Sequence, residues 1–84
     1  MMAVSTENVA AEIQGWLKGN VTGGREVSPD EALIENGVLT SLQTVELVTF
    51  LEERFDIIVE DEEFDEENFG SVEAIASLVA SKTG

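Results

Sequence analysis

Residues 40–55 read TSLQTVELVTFLEERF, and this stretch decides the fold class of the chain. Thr40 is a good N-cap residue, and Gln43 stands three positions later, where its side chain can reach back to the cap. Apolar residues then recur at helical spacing, at positions 42, 45, 47, 48, 50, 51 and 55. The stretch therefore predicts an amphipathic helix that begins at Ser41 and ends near Phe55.

Two further long helices flank this one. A first helix is predicted to begin near Ser5 or Thr6 and to end at Gly19-Asn20, with an apolar stripe of Val9, Ile13, Trp16 and Leu17. Ser71 can cap a last helix, whose apolar face is formed by Val72, Ile75, Ala76, Leu78 and Val79.

A long loop, residues 20–39, separates the first two helices. A segment of this length needs its own anchors, and apolar side chains can supply them at Val27, Leu33, Ile34, Val38 and Leu39. We expect a short helical turn at residues 30–35, which Asn36-Gly37 ends in a left-handed conformation.

A connector and a short third helix are predicted beyond Phe55. Three branched apolar residues, 57–59, have no partner for a sheet, so we expect a buried connector. Residues 60–67 are seven acids around Phe64, and we expect a short, solvated helix III there. The sequence thus predicts an all-α fold, a small four-helix bundle with three long helices, a short helix III and a long loop between helices I and II, in a single domain of residues 1–84.

Charge and length exclude several classes of function. Eighteen acids and four bases give a net charge of −14, which argues strongly against nucleic acid as a partner. Apolar residues make up 43% of the chain in regular patterns, which argues against a disordered acidic tail. No segment approaches the roughly 20 apolar residues of a membrane span, and the N-terminus lacks the pattern of a signal peptide. We therefore expect a cytoplasmic monomer whose field steers it toward basic partners.

The residue inventory argues against catalysis. The chain has no histidine and no cysteine, so the usual general base, thiol nucleophile and transition-metal ligands are absent. The acids at 61, 63 and 65 imitate the start of a calcium loop, but Glu66 stands where Gly is needed and Val72 where the bidentate Glu is needed. We predict a protein that is not an enzyme and has no metal site.

Ser41 is the one residue whose position has a clear chemical use. A serine in the first turn of a helix is usually only a local hydrogen-bonding group. However, a helix N-terminus presents free N–H groups and positive potential, so a phosphodiester attached there is favoured. The preceding loop leaves the hydroxyl accessible to a modifying enzyme.

The segment GVLTSLQTVELVTFLEERFDIIVEDEEF resembles the helix II region of acyl carrier proteins, in which a Gly-x-Asp-Ser-Leu motif bears the modified serine. The order of helices, the long loop and the acidic third helix agree with that family over residues 5–80. The match is specific around Gly37–Phe55, where the serine, the helix start and the acids fall in the family's order.

The resemblance implies that Ser41 bears 4'-phosphopantetheine from coenzyme A, with Thr40 as N-cap and Leu42 completing the motif. It implies that Glu46, Glu52, Glu53 and Asp56 dock on basic patches of partner enzymes. It also implies an acyl cleft lined by Val48, Leu51, Val59, Ile75 and Leu78.

The function that this resemblance implies is transport without catalysis. The protein would carry acyl intermediates as thioesters in fatty-acid, lipid or polyketide-type biosynthesis. Its expected partners are a phosphopantetheinyl transferase and acyl-loading, condensing or acyltransferase enzymes.

Two residues depart from the family pattern. Thr40 replaces the usual Asp, which keeps the cap but removes a carboxylate beside the modification site, and Glu60 stands where many members have Pro. Two alternatives stay open. One is an aminoacyl or peptidyl carrier, although such domains tend to be less acidic and often have a Gly-Gly-His/Asp-Ser motif, which is absent here. The other is an unmodified acidic module that only docks on basic proteins.

Overall fold

The computed structural model describes residues 6–83, which form four α-helices and one 3-10 turn and contain no strand. The elements are α1 (Thr6–Asn20), α2 (Ser41–Phe55), the 3-10 turn (Asp61–Glu63), α3 (Glu66–Phe69) and α4 (Val72–Thr83). The predicted all-α bundle with three long helices and one short helix is confirmed. The candidate cap Ser5 lies outside the described residues.

A capping box marks the start of α2, and a left-handed residue marks its end. Thr40 Oγ1 accepts the Gln43 N–H at 3.2 Å, and Gln43 Oε1 accepts the Thr40 N–H at 3.1 Å, so the predicted capping box is confirmed. The helix ends at Asp56, which has a left-handed backbone with φ of 55°. Ser71 likewise caps α4, since its Oγ accepts the Ala74 N–H at 3.1 Å.

The core lies where α1, α2 and α3 pack against α4. The most deeply buried side chains include Val9, Ile13, Leu17, Leu47, Leu51, Phe69, Ile75 and Val79. Trp16 is partly buried and stacks on Phe50 with ring centroids 5.9 Å apart. Arg54 forms two contacts of 2.7 Å with the carboxylate of Glu12 and so joins the exposed edges of α1 and α2.

The long loop is anchored on this core, as the sequence predicts. Val27, Leu33 and Leu39 are buried, and Leu33 N–H donates to the Gly70 carbonyl at 2.8 Å. Residues 33–37 form hydrogen-bonded turns, and the Asn36 N–H donates to the Ala32 carbonyl at 3.0 Å with the spacing of a single helical turn, so the predicted turn lies slightly later in the chain than residues 30–35. Gly37 does take the left-handed conformation, with φ of 72°.

Two of the predicted buried side chains are exposed. Ile34 is 37% exposed, because the turn that buries Leu33 directs the next side chain outward. Ile58 is 71% exposed, whereas its neighbours Ile57 and Val59 are buried. The prediction of a fully buried connector is wrong at Ile58, because successive side chains of an extended segment point to opposite sides.

The acidic run forms two short elements, not one. The 3-10 turn and α3 are separated by Asp65, which has an extended backbone and caps α3 by accepting the Asn68 N–H at 2.9 Å. Phe69 fixes α3 to the core, and Phe64 stacks on it with ring centroids 5.8 Å apart. Within residues 6–83, no helix has the length and apolar character required to span a bilayer.

Candidate functional site at the start of α2

Ser41 is the first residue of α2, and its side chain is exposed. The first turn of a helix leaves its N–H groups without an intrahelical acceptor. The Thr40 side chain accepts the Gln43 N–H, which leaves the N–H groups of Ser41 and Leu42 for an anionic group. Because the first turn of α2 contains no acid, no carboxylate within that turn offsets the positive end of the helix dipole. The helix start therefore fits a phosphodiester on Ser41 Oγ.

A groove of about 360 Å³ opens beside Ser41, between α2 and the segment that leads into α3. It is lined by Ile34, Leu39, Thr40, Ser41, Thr44, Val45, Phe64, Asp65, Glu66 and Phe69. Ile34, Val45 and Phe64 are each more than a third exposed, so the groove offers apolar surface next to the hydroxyl. Two carboxylates stand on the side that α3 provides.

The five residues expected to line an acyl cleft belong to the closed core. Val48, Leu51, Val59, Ile75 and Leu78 are each at most 9% exposed. None of them lines the groove beside Ser41. Their role as a cleft stays a prediction.

The exposed side of α2 combines apolar and acidic residues. Its members are Leu42, Val45, Glu46, Thr49 and Glu53, with Asp56 following the helix, and we call this set the outer face of α2. Leu42 and Val45 are 70% and 52% exposed, although the apolar pattern places them on the same stripe as the buried residues. The apolar stripe of α2 is thus wider than the core that it covers.

Glu52 differs from the other acids of α2. It is half-buried, and its Oε2 accepts the Val59 N–H at 3.0 Å. Glu46, Glu53 and Asp56 are exposed. Three of the four acids are thus accessible at the surface, whereas the fourth, Glu52, holds the connector.

Two carboxylates have perturbed acidity. The pKa of Glu63 is lowered, first by the hydrogen bond from the Lys82 ammonium and then by the N–H of Glu60. The pKa of Glu31 is lowered chiefly by its hydrogen bond with Arg25. In the part of the chain that the structure describes, no group of three or more potential ligands is arranged to hold a metal ion.

Sequence reasoning missed the side of the groove that faces α2. Phe64 was placed in an acidic run, and Phe69 was not assigned to any face. Their spacing of five residues does not match a single helical stripe, because two short elements lie between them. One sequence signal could have identified them. Aromatic residues in an acidic segment need apolar contacts, and here Phe64 and Phe69 contact each other.

Comparison with known proteins agrees with this geometry. The sequence profile described as "phosphopantetheine attachment site" matches residues 9–79. Aminoacyl carrier protein 2 of Bradyrhizobium diazoefficiens is 31% identical over 83 residues, which cover 98% of this chain and 91% of that protein. The D-alanyl carrier protein of Streptococcus suis is 46% identical over 50 residues, which cover 60% of this chain and 63% of that protein.

A solved structure has the same fold. It is the crystal structure of Bradyrhizobium japonicum glycine:[carrier protein] ligase complexed with glycylated carrier protein, one chain of which is 30% identical with a TM-score of 0.67. The match covers 87% of this chain and 96% of that chain. With the profile match over most of its length, the chain belongs to the family of phosphopantetheine-binding carrier proteins, which bear a covalently attached 4'-phosphopantetheine group.

Proposed function

We propose that this protein is an aminoacyl carrier, with its 4'-phosphopantetheine arm attached to Ser41 Oγ. The observation that carries the proposal is the exposed hydroxyl at the first residue of a capped helix, beside an apolar groove, in a chain of this family. When bound, the arm supplies a thiol that holds the cargo as a thioester. The residues of the chain position that arm and present it to enzymes, and they perform no catalysis themselves.

An aminoacyl cargo is better supported than the fatty-acyl, lipid or polyketide cargo that the first resemblance implied. The relatives named above are aminoacyl and D-alanyl carriers, and the matching solved structure holds a glycylated carrier protein. The side chains expected to form an acyl cleft are closely packed and buried. A small polar aminoacyl group needs no such cleft, and its ammonium is favoured near a chain with a net charge of −14.

The outer face of α2 is the proposed docking surface. Leu42 and Val45 provide exposed apolar contact next to Ser41, and Glu46, Glu53 and Asp56 continue along the same side. A partner with an apolar patch and surrounding Lys or Arg side chains would complement it. Glu52 is left out, because its carboxylate is engaged by the Val59 N–H. We expect such surfaces on the phosphopantetheinyl transferase and on a ligase that loads the arm.

The attachment site is tested by mass spectrometry after incubation with coenzyme A and a broad-specificity phosphopantetheinyl transferase. We expect the wild type to gain the mass of one arm and Ser41→Ala to gain none. Ser77→Ala, at an exposed serine of α4, is the matched control and should be modified like the wild type. If Ser41→Ala were also modified, the assigned site would be wrong.

The cargo is tested on the modified protein. It is incubated with ATP, single amino acids and an amino acid:carrier protein ligase, and in parallel with malonyl-coenzyme A and a malonyltransferase. We expect an aminoacyl thioester, detected by mass and by release with hydroxylamine. Efficient malonyl transfer without aminoacyl loading would favour the fatty-acyl or polyketide function instead.

A further inference from the structure

An ion pair ties the 3-10 turn to the last turn of α4. Lys82 Nζ lies 2.7 Å from Glu63 Oε1, and that oxygen also accepts the Glu60 N–H at 2.8 Å. Only 19% of the Lys82 side chain and 24% of the Glu63 side chain are exposed, so solvent screens this pair less than it screens a pair on open surface.

The 3-10 turn has few other contacts to hold it. It buries no side chain of its own. Its internal hydrogen bonds are short in range, such as Glu63 N–H to the Glu60 carbonyl at 2.9 Å. Segments with so few buried apolar contacts open easily, so one partly shielded ion pair can decide how firmly the turn is held.

The turn leads directly into the groove beside Ser41. Phe64 N–H donates to the Asp61 carbonyl at 3.1 Å, and the Phe64 ring stacks on Phe69 with an angle of 25° between the rings. Asp65, the next residue, caps α3 and also lines the groove. Phe64 and Asp65 form the side of the groove opposite α2. Their position thus depends on the 3-10 turn, which Glu63 ties to α4.

We propose that the Glu63–Lys82 ion pair sets the shape of the groove beside Ser41 by holding Phe64 against Phe69. Lys82 is then a positioning residue that acts through Glu63 and never touches the groove itself. It controls whether an arm on Ser41 lies against Phe64 or extends into solvent. This last consequence rests on the proposed function, whereas the positioning of Phe64 does not.

The first experiment uses the unmodified protein and measures amide hydrogen exchange by NMR. Lys82→Met removes the charge and keeps the length of the side chain, and Lys82→Arg keeps the charge. Lys18→Met makes the same charge change at the exposed end of α1. We expect exchange at Glu63, Phe64 and Asp65 to be about two- to fivefold faster in Lys82→Met and near the wild-type rate in the other two.

The exchange of Ile75 shows whether each variant is folded, because its N–H bonds to Ser71 in the first turn of α4 and its side chain is fully buried. It should not change. Equal exchange at Phe64 in Lys82→Met and the wild type, or an equal increase in Lys18→Met, would overturn the proposal.

The second experiment compares the unmodified and arm-bearing proteins by the chemical shifts of the Phe64 and Phe69 amides. In the wild type and Lys82→Arg, attachment of the arm should shift these amides. In Lys82→Met the shift should fall by half or more. If the arm attaches and its effect on Phe64 is the same in all three, Lys82 does not control the arm. If no arm attaches to the wild type, the proposed function fails while the exchange result stands on its own.

Discussion

Thr40 has the two hydrogen bonds that decide where α2 begins. Its side chain accepts from Gln43, and its N–H donates to the Gln43 side chain. Thr replaces the Asp that the acyl carrier resemblance leads one to expect, and the bonds show that it performs the same capping role. Ser41 is thereby held at the first helical position, whatever is attached to its hydroxyl.

Replacing Thr40 by Ala should lower the free energy of unfolding by about 1 kcal/mol, because the Gln43 N–H loses its acceptor. Thr40→Asp should unfold like the wild type, since a carboxylate accepts the same bond. Urea unfolding followed by circular dichroism measures both. An equal loss in Thr40→Asp would mean that the methyl group and not the hydroxyl is responsible.

Asp56 is the non-glycine residue with positive φ among the described residues. We expect Asp56→Gly to raise the free energy of unfolding by about 0.5 kcal/mol, because glycine adopts the left-handed conformation without steric cost. Asp56→Asn removes the charge, and asparagine tolerates the left-handed backbone. This variant therefore separates the effect of charge from the effect of backbone conformation. A gain in Asp56→Asn as large as that in Asp56→Gly would assign the effect to charge.

The two sides of helix α2 have different roles. Leu47, Val48 and Leu51 are buried in the core, while the outer face remains available to a partner. The adjacent acids Glu52 and Glu53 fall on different sides of this division. Glu52 stabilises the connector through Val59, and Glu53 is exposed.

Substitutions at these two neighbours should therefore affect different properties, stability for Glu52 and association for Glu53. Glu52→Ala should lower the free energy of unfolding by about 1 kcal/mol, because the N–H of the buried residue Val59 loses its acceptor. Glu53→Gln should leave stability unchanged and slow association with a basic partner roughly twofold at low salt. Denaturant unfolding and stopped-flow binding to the transferase measure these effects. Slower binding in Glu52→Ala than in Glu53→Gln would contradict the assigned docking surface.

The ion pair between the 3-10 turn and α4 should make stability depend on pH. The folded state lowers the pKa of Glu63, so folded protein binds that proton less tightly than unfolded protein does. The contribution of the pair is therefore complete above the unfolded pKa and is lost as pH falls through the lowered, folded pKa. In Lys82→Met the Glu63 carboxyl should titrate at higher pH than in the wild type, as followed by carbon-13 NMR. An unchanged titration would exclude Lys82 as the main cause.

Eighteen acids on so small a bundle repel one another, since four bases offset few of them. The ion pairs Arg25–Glu31, Arg54–Glu12 and Lys82–Glu63 each relieve this locally. The remaining negative charge favours encounters with basic enzymes and opposes the compact state.

Salt should therefore stabilise the folded protein and, at the same time, weaken its association with basic partners. Raising the ionic strength from about 0.01 M to 0.1 M shortens the Debye length from about 30 Å to 10 Å. We expect the thermal midpoint to rise by a few degrees and the association rate with the transferase to fall. Thermal circular dichroism and stopped-flow binding in the same buffers test this. A falling midpoint would mean that the three ion pairs outweigh the general repulsion.

Local signals in the sequence were enough to predict the three long helices and the position of Ser41. Thr40 and Gln43 are three residues apart, and Ser71 and Ala74 likewise, so their caps depend on neighbours in the chain. The apolar spacing of α1, α2 and α4 identified most of the core for the same reason.

Contacts between distant segments decided the rest. An apolar pattern cannot tell how much of a stripe the neighbouring segments cover. Ile34 and Ile58 were expected inside and are exposed, and the apolar stripe of α2 extends to Leu42 and Val45, which are exposed as well. Glu52 and Glu53 differ in their surroundings because the connector of residues 57–59 lies against Glu52, whereas Glu53 is exposed. The groove beside Ser41 exists because Phe64 and Phe69, carried by two short elements, come to face α2, and that arrangement follows from packing between segments that are not adjacent in the chain.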